Sequence, residues 1–200
     1  MDSLARIAVF ISGGGSNLQS LIDASESGRL SGKIVLVISS RDNAYGLERA
    51  FNAEIDTFVY KVKNYAAKED AYRDLMEMLE EYEVEYIALA GYLKLLPVPI
   101  VRQYKNRITN IHPALLPKYG GSGMYGHHVH EAVIKAGEKE SGATVHIVDE
   151  IYDHGKILMQ QKVSVSPEDT PESLAAKVLK IEHQIYPKAL DKLIRETRKI

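Results

Sequence analysis

A short apolar run at residues 7–11 stops at Ser12-Gly13-Gly14-Gly15-Ser16-Asn17 and gives way to apolar residues at helical spacing, Leu18, Leu21 and Ile22. That succession constrains the chain more than any other feature. A run of consecutive apolar residues, not an alternating one, is what a strand buried on both faces requires. The glycines give the backbone freedom to turn sharply from strand into helix. The same order then returns. Residues 34–38 form a second strand, ending in Ser39-Ser40-Arg41-Asp42, followed by a short helix at 47–52 and a third strand at 57–60. Residues 68–82 carry Ala71, Leu75, Met78, Leu79 and Tyr82 on one side, the clearest amphipathic helix in the chain. A buried strand at 86–90 ends at Gly91, Pro97 and Pro99 lead into a short helix, and the next strand is 108–111.

Alternating strands and helices predict an α/β fold: one domain with a twisted, mainly parallel sheet and helices on both faces, Rossmann-like in its winding. Such folds take ligands at the carboxyl ends of their strands. The glycine loop, Gly91-Tyr92 and the segment Asn110-Ile111-His112 all lie at strand ends and are expected to converge. Beyond Pro117 the character changes. Tyr119-Gly120-Gly121-Ser122-Gly123-Met124-Tyr125-Gly126 has the composition of a mobile loop. A helix is expected at 129–135 and two strands at 144–148 and 157–165, hairpin-like around Asp153-His154-Gly155. Thr170 reads as an N-cap with Pro171 at the first helical position. The long helix that follows runs past Glu182-His183, and Pro187 is expected to break or kink it. No internal repeat and no second domain is evident.

Composition narrows the function. A chain of 200 residues, 45% hydrophobic and 26% charged, can bury one continuous core. A net charge of -2 argues against a general nucleic-acid binder. The absence of cysteine removes disulfides, thiolate catalysis and thiolate metal sites, and fits a reducing cytoplasm. Met1-Asp2-Ser3-Leu4-Ala5-Arg6 leads directly into the first run without the longer apolar core of a signal peptide, and no run approaches a membrane span. The expectation is a soluble cytoplasmic protein acting on small molecules.

Asn110-Ile111-His112-Pro113 carries the sharpest chemical signal. On a strand, residues two apart share a face, so the Asn110 amide and the His112 imidazole project together. One can polarise a carbonyl and the other can move a proton, which is what acyl transfer to an amine needs. Asp153 could orient the ring and raise its pKa. The same four residues are also ordinary turn chemistry, since Pro113 favours an extended His112. The glycine loop suits phosphate, held by Gly14, Gly15, Ser16 and Asn17 at a helix start, or else is a tight turn. It is not a Walker A loop, and Leu18 stands where a dinucleotide fingerprint needs its third glycine. Ser39-Ser40-Arg41 would grip an NADP 2′-phosphate or is a polar loop. His127-His128-Val129-His130 invites a metal but lacks supporting ligands and reads as a solvated loop. His146 reads as a satisfied buried histidine and His183 as a surface residue. Tyr92-Leu93-Lys94-Leu95-Leu96 forms either an apolar slot for a flat ring or part of the core.

Taken together, these segments resemble the phosphoribosylglycinamide formyltransferases, folate-dependent enzymes of purine synthesis. The resemblance covers almost the whole chain. It rests on residues 11–18, 89–96, 110–117 and 142–155 and on Glu182-His183-Gln184-Ile185-Tyr186-Pro187, all in the family's order and spacing. It implies a formyltransferase fold over 1–200, with a nucleotide-binding half at 1–110 and a catalytic and folate-binding half at 111–200. It implies transfer of the formyl group of 10-formyltetrahydrofolate, as co-substrate, to the amine of glycinamide ribonucleotide, with no metal and no redox cofactor needed. By the same carry-over, Asn110, His112 and Asp153 match the catalytic trio, with His112 protonated. Gly14, Gly15, Ser16 and Asn17 match the phosphate loop, and Glu182 a contact to the ribose. Lys68, Tyr92, Leu93, Lys94, Leu95, Leu96, Asn110, Val148 and Tyr152 match folate positions. Nucleic acid and membrane are not expected partners, and a homodimer is compatible.

Two features depart from the family: a longer, glycine- and histidine-rich loop after Pro117, and lysine at 68 where arginine is frequent. Sibling formyltransferase or formyltetrahydrofolate deformylase activity, and an NADP or nucleotide-binding module, are the alternatives.

Overall fold

The computed structural model describes residues 4–199, so the reading of Met1-Asp2-Ser3 lies outside the described residues. The chain runs β1 (Ala5–Ile11), α1 (Ser16–Glu26), β2 (Gly32–Ser39), α2 (Tyr45–Asn52), β3 (Thr57–Val59), α3 (Lys68–Glu81), β4 (Tyr86–Leu89), α4 (Val98–Gln103) and β5 (Ile108–His112). It continues with α5 (His127–Lys135), β6 (Glu140–Ile147), β7 (Ile157–Ser164) and α6 (Pro171–Arg198). The sheet has seven strands in the order β3-β2-β1-β4-β5-β6-β7. Neighbours from β3 to β5 pair in parallel, whereas β5–β6 and β6–β7 are antiparallel.

Period-two alternation distributes the apolar strands between two cores. Ile7, Val9 and Ile11 of β1 pack with Leu18, Leu21 and Ile22 of α1 and with Ile185, Tyr186 and Leu190 of α6. Ala8 and Phe10 face the other way, onto Leu75 and Leu79 of α3 and Ile100 and Val101 of α4. Helices therefore cover both faces, which is why the strands read as unbroken apolar runs. One bulge interrupts the β1–β2 ladder, where Ile7 pairs Ile34 but Ala8 pairs Leu36.

Pro187, expected to break or kink the helix, does not break α6. The helix continues to Arg198 with Tyr186, Pro187, Ala189, Leu190 and Leu193 all buried. An interior proline costs about 3 kcal/mol, and the packing of these side chains offsets it. Tyr186 Oη also lies 2.9 Å from the carbonyl oxygen of Leu89 and 3.2 Å from that of Thr109, fastening α6 across β4 and β5. At its start, Thr170 Oγ1 accepts from the Ser173 amide and Ser173 Oγ accepts from the Thr170 amide, a reciprocal cap that satisfies two otherwise unpaired donors.

Strand order reverses between β1 and β4, so the connections leaving these two strands diverge and open a crevice at their carboxyl ends. Among the described residues, no helix is long and apolar enough to cross a membrane.

Candidate active site

Two hydrogen bonds close the floor of the crevice. Ser12 Oγ lies 2.6 Å from Ser40 Oγ and accepts from the Leu93 amide at 2.8 Å, tying the ends of β1, β2 and β4 together. Ser39 Oγ donates to the Arg41 carbonyl and accepts from the Arg41 amide. Ser39-Ser40-Arg41 is thus engaged in local structure.

The glycine loop divides by role. Gly15 has φ +70°, and a Cβ there would meet the Gly46 Cα at 2.6 Å, so Gly15 serves the close approach of α1 and α2. A Cβ on Gly13 or Gly14 would meet nothing within 4 Å. These two glycines are not required by packing, and the open space lies at the N-terminus of α1, where backbone N–H groups and the helix dipole favour an anion. Arg49 closes one side of the loop, donating from Nε to the Gly14 carbonyl at 2.8 Å. A pocket of about 310 Å³ adjoins it, lined by Ser16, Gln19, Arg49 and His183 among others. His183, expected at the surface, is instead partly buried, and its Nε2 has no hydrogen-bond partner. From the second residue of α1, Asn17 Nδ2 donates to Glu182 Oε2 at 2.6 Å, a buried contact between residues 165 positions apart. Burial pushes the Glu182 carboxyl up to about 7, against the opposing hydrogen bond from Asn17.

The second half of the crevice is a cleft of about 450 Å³. Tyr92, Leu93, Lys94, Leu95, Leu96, Asn110, Val148 and Tyr152 all line it, together with His112 and Asp153. Lys68 does not: it stands exposed at the start of α3. Tyr92 packs edge-on to Phe10 with ring centroids 5.2 Å apart, so the slot is continuous with the core behind it.

β5 delivers Asn110 and His112 to one face at the cleft's end, as their spacing predicts. Asp153 reaches them from the turn after β6 with φ +51°, in the left-handed region. Its Oδ2 lies 3.6 Å from His112 Nδ1 and accepts from the Gly121 amide at 2.9 Å. His112 Nε2 lies 2.8 Å from the Tyr119 carbonyl oxygen. Opposing effects act on the His112 imidazole, which is expected to be protonated. Burial drives the imidazole below its ordinary range and outweighs the upward pull of Asp153. Burial alone would raise Asp153, but the neighbouring His146 and His112 rings and the Gly121 N–H bring it below the usual carboxylate range. Both shifts favour the pairing of an imidazole with a carboxylate. Asp153, 3.6 Å away, would stabilise the cationic form of the ring.

His146 joins this cluster from β6. The register sets Asn110 opposite His146 and His112 opposite Thr144. Asn110 Nδ2 lies 3.1 Å from His146 Nε2 and 3.5 Å from Asp153 Oδ1. The sequence gives His146 only as a buried histidine, because its alternation reveals which face it is on but not what it faces. His130 departs from the solvated-loop reading: α5 begins at His127, and His130 is buried with its Nδ1 unpartnered. His127 and His128 lie instead against Glu131. No group of three or more His, Cys, Asp or Glu able to hold a metal gathers among the described residues.

A cleft with an apolar wall, an open glycine loop and an amide–imidazole–carboxylate cluster thus meet at the carboxyl ends of the strands. Residues 5–190 match the family described as Formyl transferase, and the chain belongs to that family. Within it, the chain is 44% identical over 191 residues to the chloroplastic phosphoribosylglycinamide formyltransferase of Vigna unguiculata, covering 96% of this chain and 61% of that protein. It is 42% identical to the phosphoribosylglycinamide formyltransferase of Haemophilus influenzae, covering 92% of this chain and 84% of that protein. The crystal structure of phosphoribosylglycinamide formyltransferase from Brucella melitensis superposes with a TM-score of 0.87 at 44% identity, covering 94% of each chain.

Proposed function

We infer that this chain transfers the formyl group of 10-formyltetrahydrofolate to the amine of glycinamide ribonucleotide. The observation that carries the reading is the meeting of Asn110, His112 and Asp153 at the inner end of the flat-ring cleft. The ribonucleotide phosphate lies on the amides of Gly14, Gly15 and Ser16, and its ribose reaches Asn17 and Glu182. The folate ring occupies the slot formed by Tyr92, Leu93, Leu95, Leu96, Val148 and Tyr152, with Lys94 and, beyond the cleft, Lys68 facing the anionic tail.

The amine nitrogen attacks the formyl carbon, and a carbon–nitrogen bond forms while the formyl oxygen takes negative charge. An Asn110 N–H donates to that oxygen; a preorganised donor of this kind is worth roughly 10²–10³ in turnover. Neutral His112 takes the proton released by the attacking amine, and Asp153 stabilises the resulting imidazolium. The proton then passes to the folate nitrogen as its bond to the formyl carbon breaks. One carbon–nitrogen bond is exchanged for another and one proton is moved, so the step balances without an oxidant or reductant.

The test is a spectrophotometric formyl-transfer assay with and without glycinamide ribonucleotide. Folate product that appears only with the ribonucleotide is the expected result. Product without it would mean hydrolysis, and no product in either case would overturn the reading.

A further inference from the structure

Asn110 can serve an oxyanion only if its amide presents nitrogen, not oxygen, to the reacting face. A primary amide is close to symmetric in shape, so packing alone does not choose between the two orientations. The choice has to come from a neighbour that is strictly a donor or strictly an acceptor.

His146 is such a neighbour. It is 2% exposed, and its Nδ1 lies 3.0 Å from the Ile147 carbonyl oxygen. A carbonyl can only accept, so the ring proton belongs on Nδ1. In a neutral ring this leaves a lone pair on Nε2, which faces Asn110 Nδ2 at 3.1 Å, while Asp153 Oδ1 stands 3.5 Å from the same nitrogen, beyond an ordinary N–H···O bond. The Ile147 carbonyl oxygen keeps this position because residue 155 is glycine: a Cβ there would lie only 1.8 Å from it. The relay therefore runs from fixed backbone, through one tautomer, to one orientation of the amide.

We propose that His146 is a positioning residue that fixes the Asn110 amide with its nitrogen toward Asp153 and the reacting face. The inference rests on the formyl-transfer reading above. His146 has no contact with the reacting atoms in this scheme. Its contribution is to keep a second N–H of Asn110 available while the first is engaged.

The test compares His146→Gln with His146→Met in the full chain. Glutamine keeps an oxygen acceptor where Nε2 stands, and methionine fills similar space without a comparable one. H146M should lower kcat about 100-fold, the loss expected when one oxyanion donor is misplaced. Its Michaelis constants should be unchanged, while H146Q stays close to wild type. In an Asn110→Ala background, H146M should cause no further loss, because its target is already gone. Equal losses in H146Q and H146M, or a full additional loss beside N110A, would overturn the proposal.

Nitrogen NMR of the wild-type His146 ring supplies a measurement that needs no substitution. A protonated Nδ1 with a bare Nε2 is expected. A proton on Nε2, given to Asp153 with the amide turned over, would overturn the proposal. A wild type without formyl transfer would overturn the functional reading instead, and the ring spectrum would still decide the hydrogen bond. An active wild type with H146M equally fast would overturn only the positioning role.

Discussion

His112 and Glu182 are both titratable groups taken out of water, and their effects on stability have opposite signs. Burial holds His112 below its ordinary 6.5 and His130 down to about 4. The unfolded chain therefore binds more protons than the folded one below about pH 6.5, and stability is lost as pH falls through that range. Glu182 keeps its proton up to about 7 when folded, against 4.5 for the ordinary carboxyl. Its contribution to stability declines as pH rises from about 4.5 to 7. Glu182→Gln keeps an oxygen for Asn17 but removes the buried charge. Thermal melts at pH 8 should show E182Q more stable than wild type, with a higher Michaelis constant for the ribonucleotide. In the proposed mechanism the neutral His112 ring takes the proton, so kcat/KM should fall with acid along a limb below pH 6.5. His112→Ala should reduce turnover by about 10²–10⁴, the usual worth of a positioned acid–base group. Asp153→Asn removes the charge that raises the imidazole, so a pH–rate profile should show a lower maximum and a limb moved further to acid. Turnover near wild type in either variant would remove these residues from the mechanism.

The secondary elements show why the glycine loop carries more glycines than its turn needs. Gly15 is fixed by contact with Gly46, whereas Gly13 and Gly14 border open space. Gly15→Ala should lower the melting temperature and activity together. Gly14→Ala should leave melting unchanged but raise the Michaelis constant for the ribonucleotide, which separates the two roles in one pair of measurements. The seam between β5 and β6 matters equally. A one-residue slip there would turn Asn110 and His112 to the opposite face. The elements themselves are largely legible in the sequence, because strands covered on both faces must be apolar throughout and α3 must be amphipathic. Pro187 and His130 are not legible. Local propensity says that a proline stops a helix and that a histidine-rich segment seeks water, but the core contacts of α6 and the burial of α5 prevail.

At the scale of the molecule, the site draws on the carboxyl ends of β1, β4 and β5, on the turn after β6, and on α6. The sequence pairs Asn110 with His112 through strand periodicity, whereas Asp153 joins them as a suggestion that presumes the fold and is strengthened by resemblance. Glu182 joins Asn17 only through a fold that closes 165 positions of chain. The role of His146 is hidden because strand register is not written in either strand separately. Helix α6 supplies Val178, Ile185, Tyr186, Leu190 and Ile194 to the core over β1 and β4. A chain ending at Asp169 would uncover the part of that sheet face that α1 does not cover. It should lack the cooperative melt of the full chain and be digested rapidly by protease, whereas a stable, protease-resistant fragment would contradict this account.

That dependence has a temporal side in the cell. Strands β1 to β5 leave the ribosome in the order in which they are made, yet the face awaiting α6 stays uncovered until the helix itself has emerged. At roughly 5–20 residues per second, the nascent chain spends seconds with a nearly finished sheet and no Glu182 beside Asn17. Translation thus keeps the two halves of the site apart until late, and catalytic competence should appear abruptly when α6 docks.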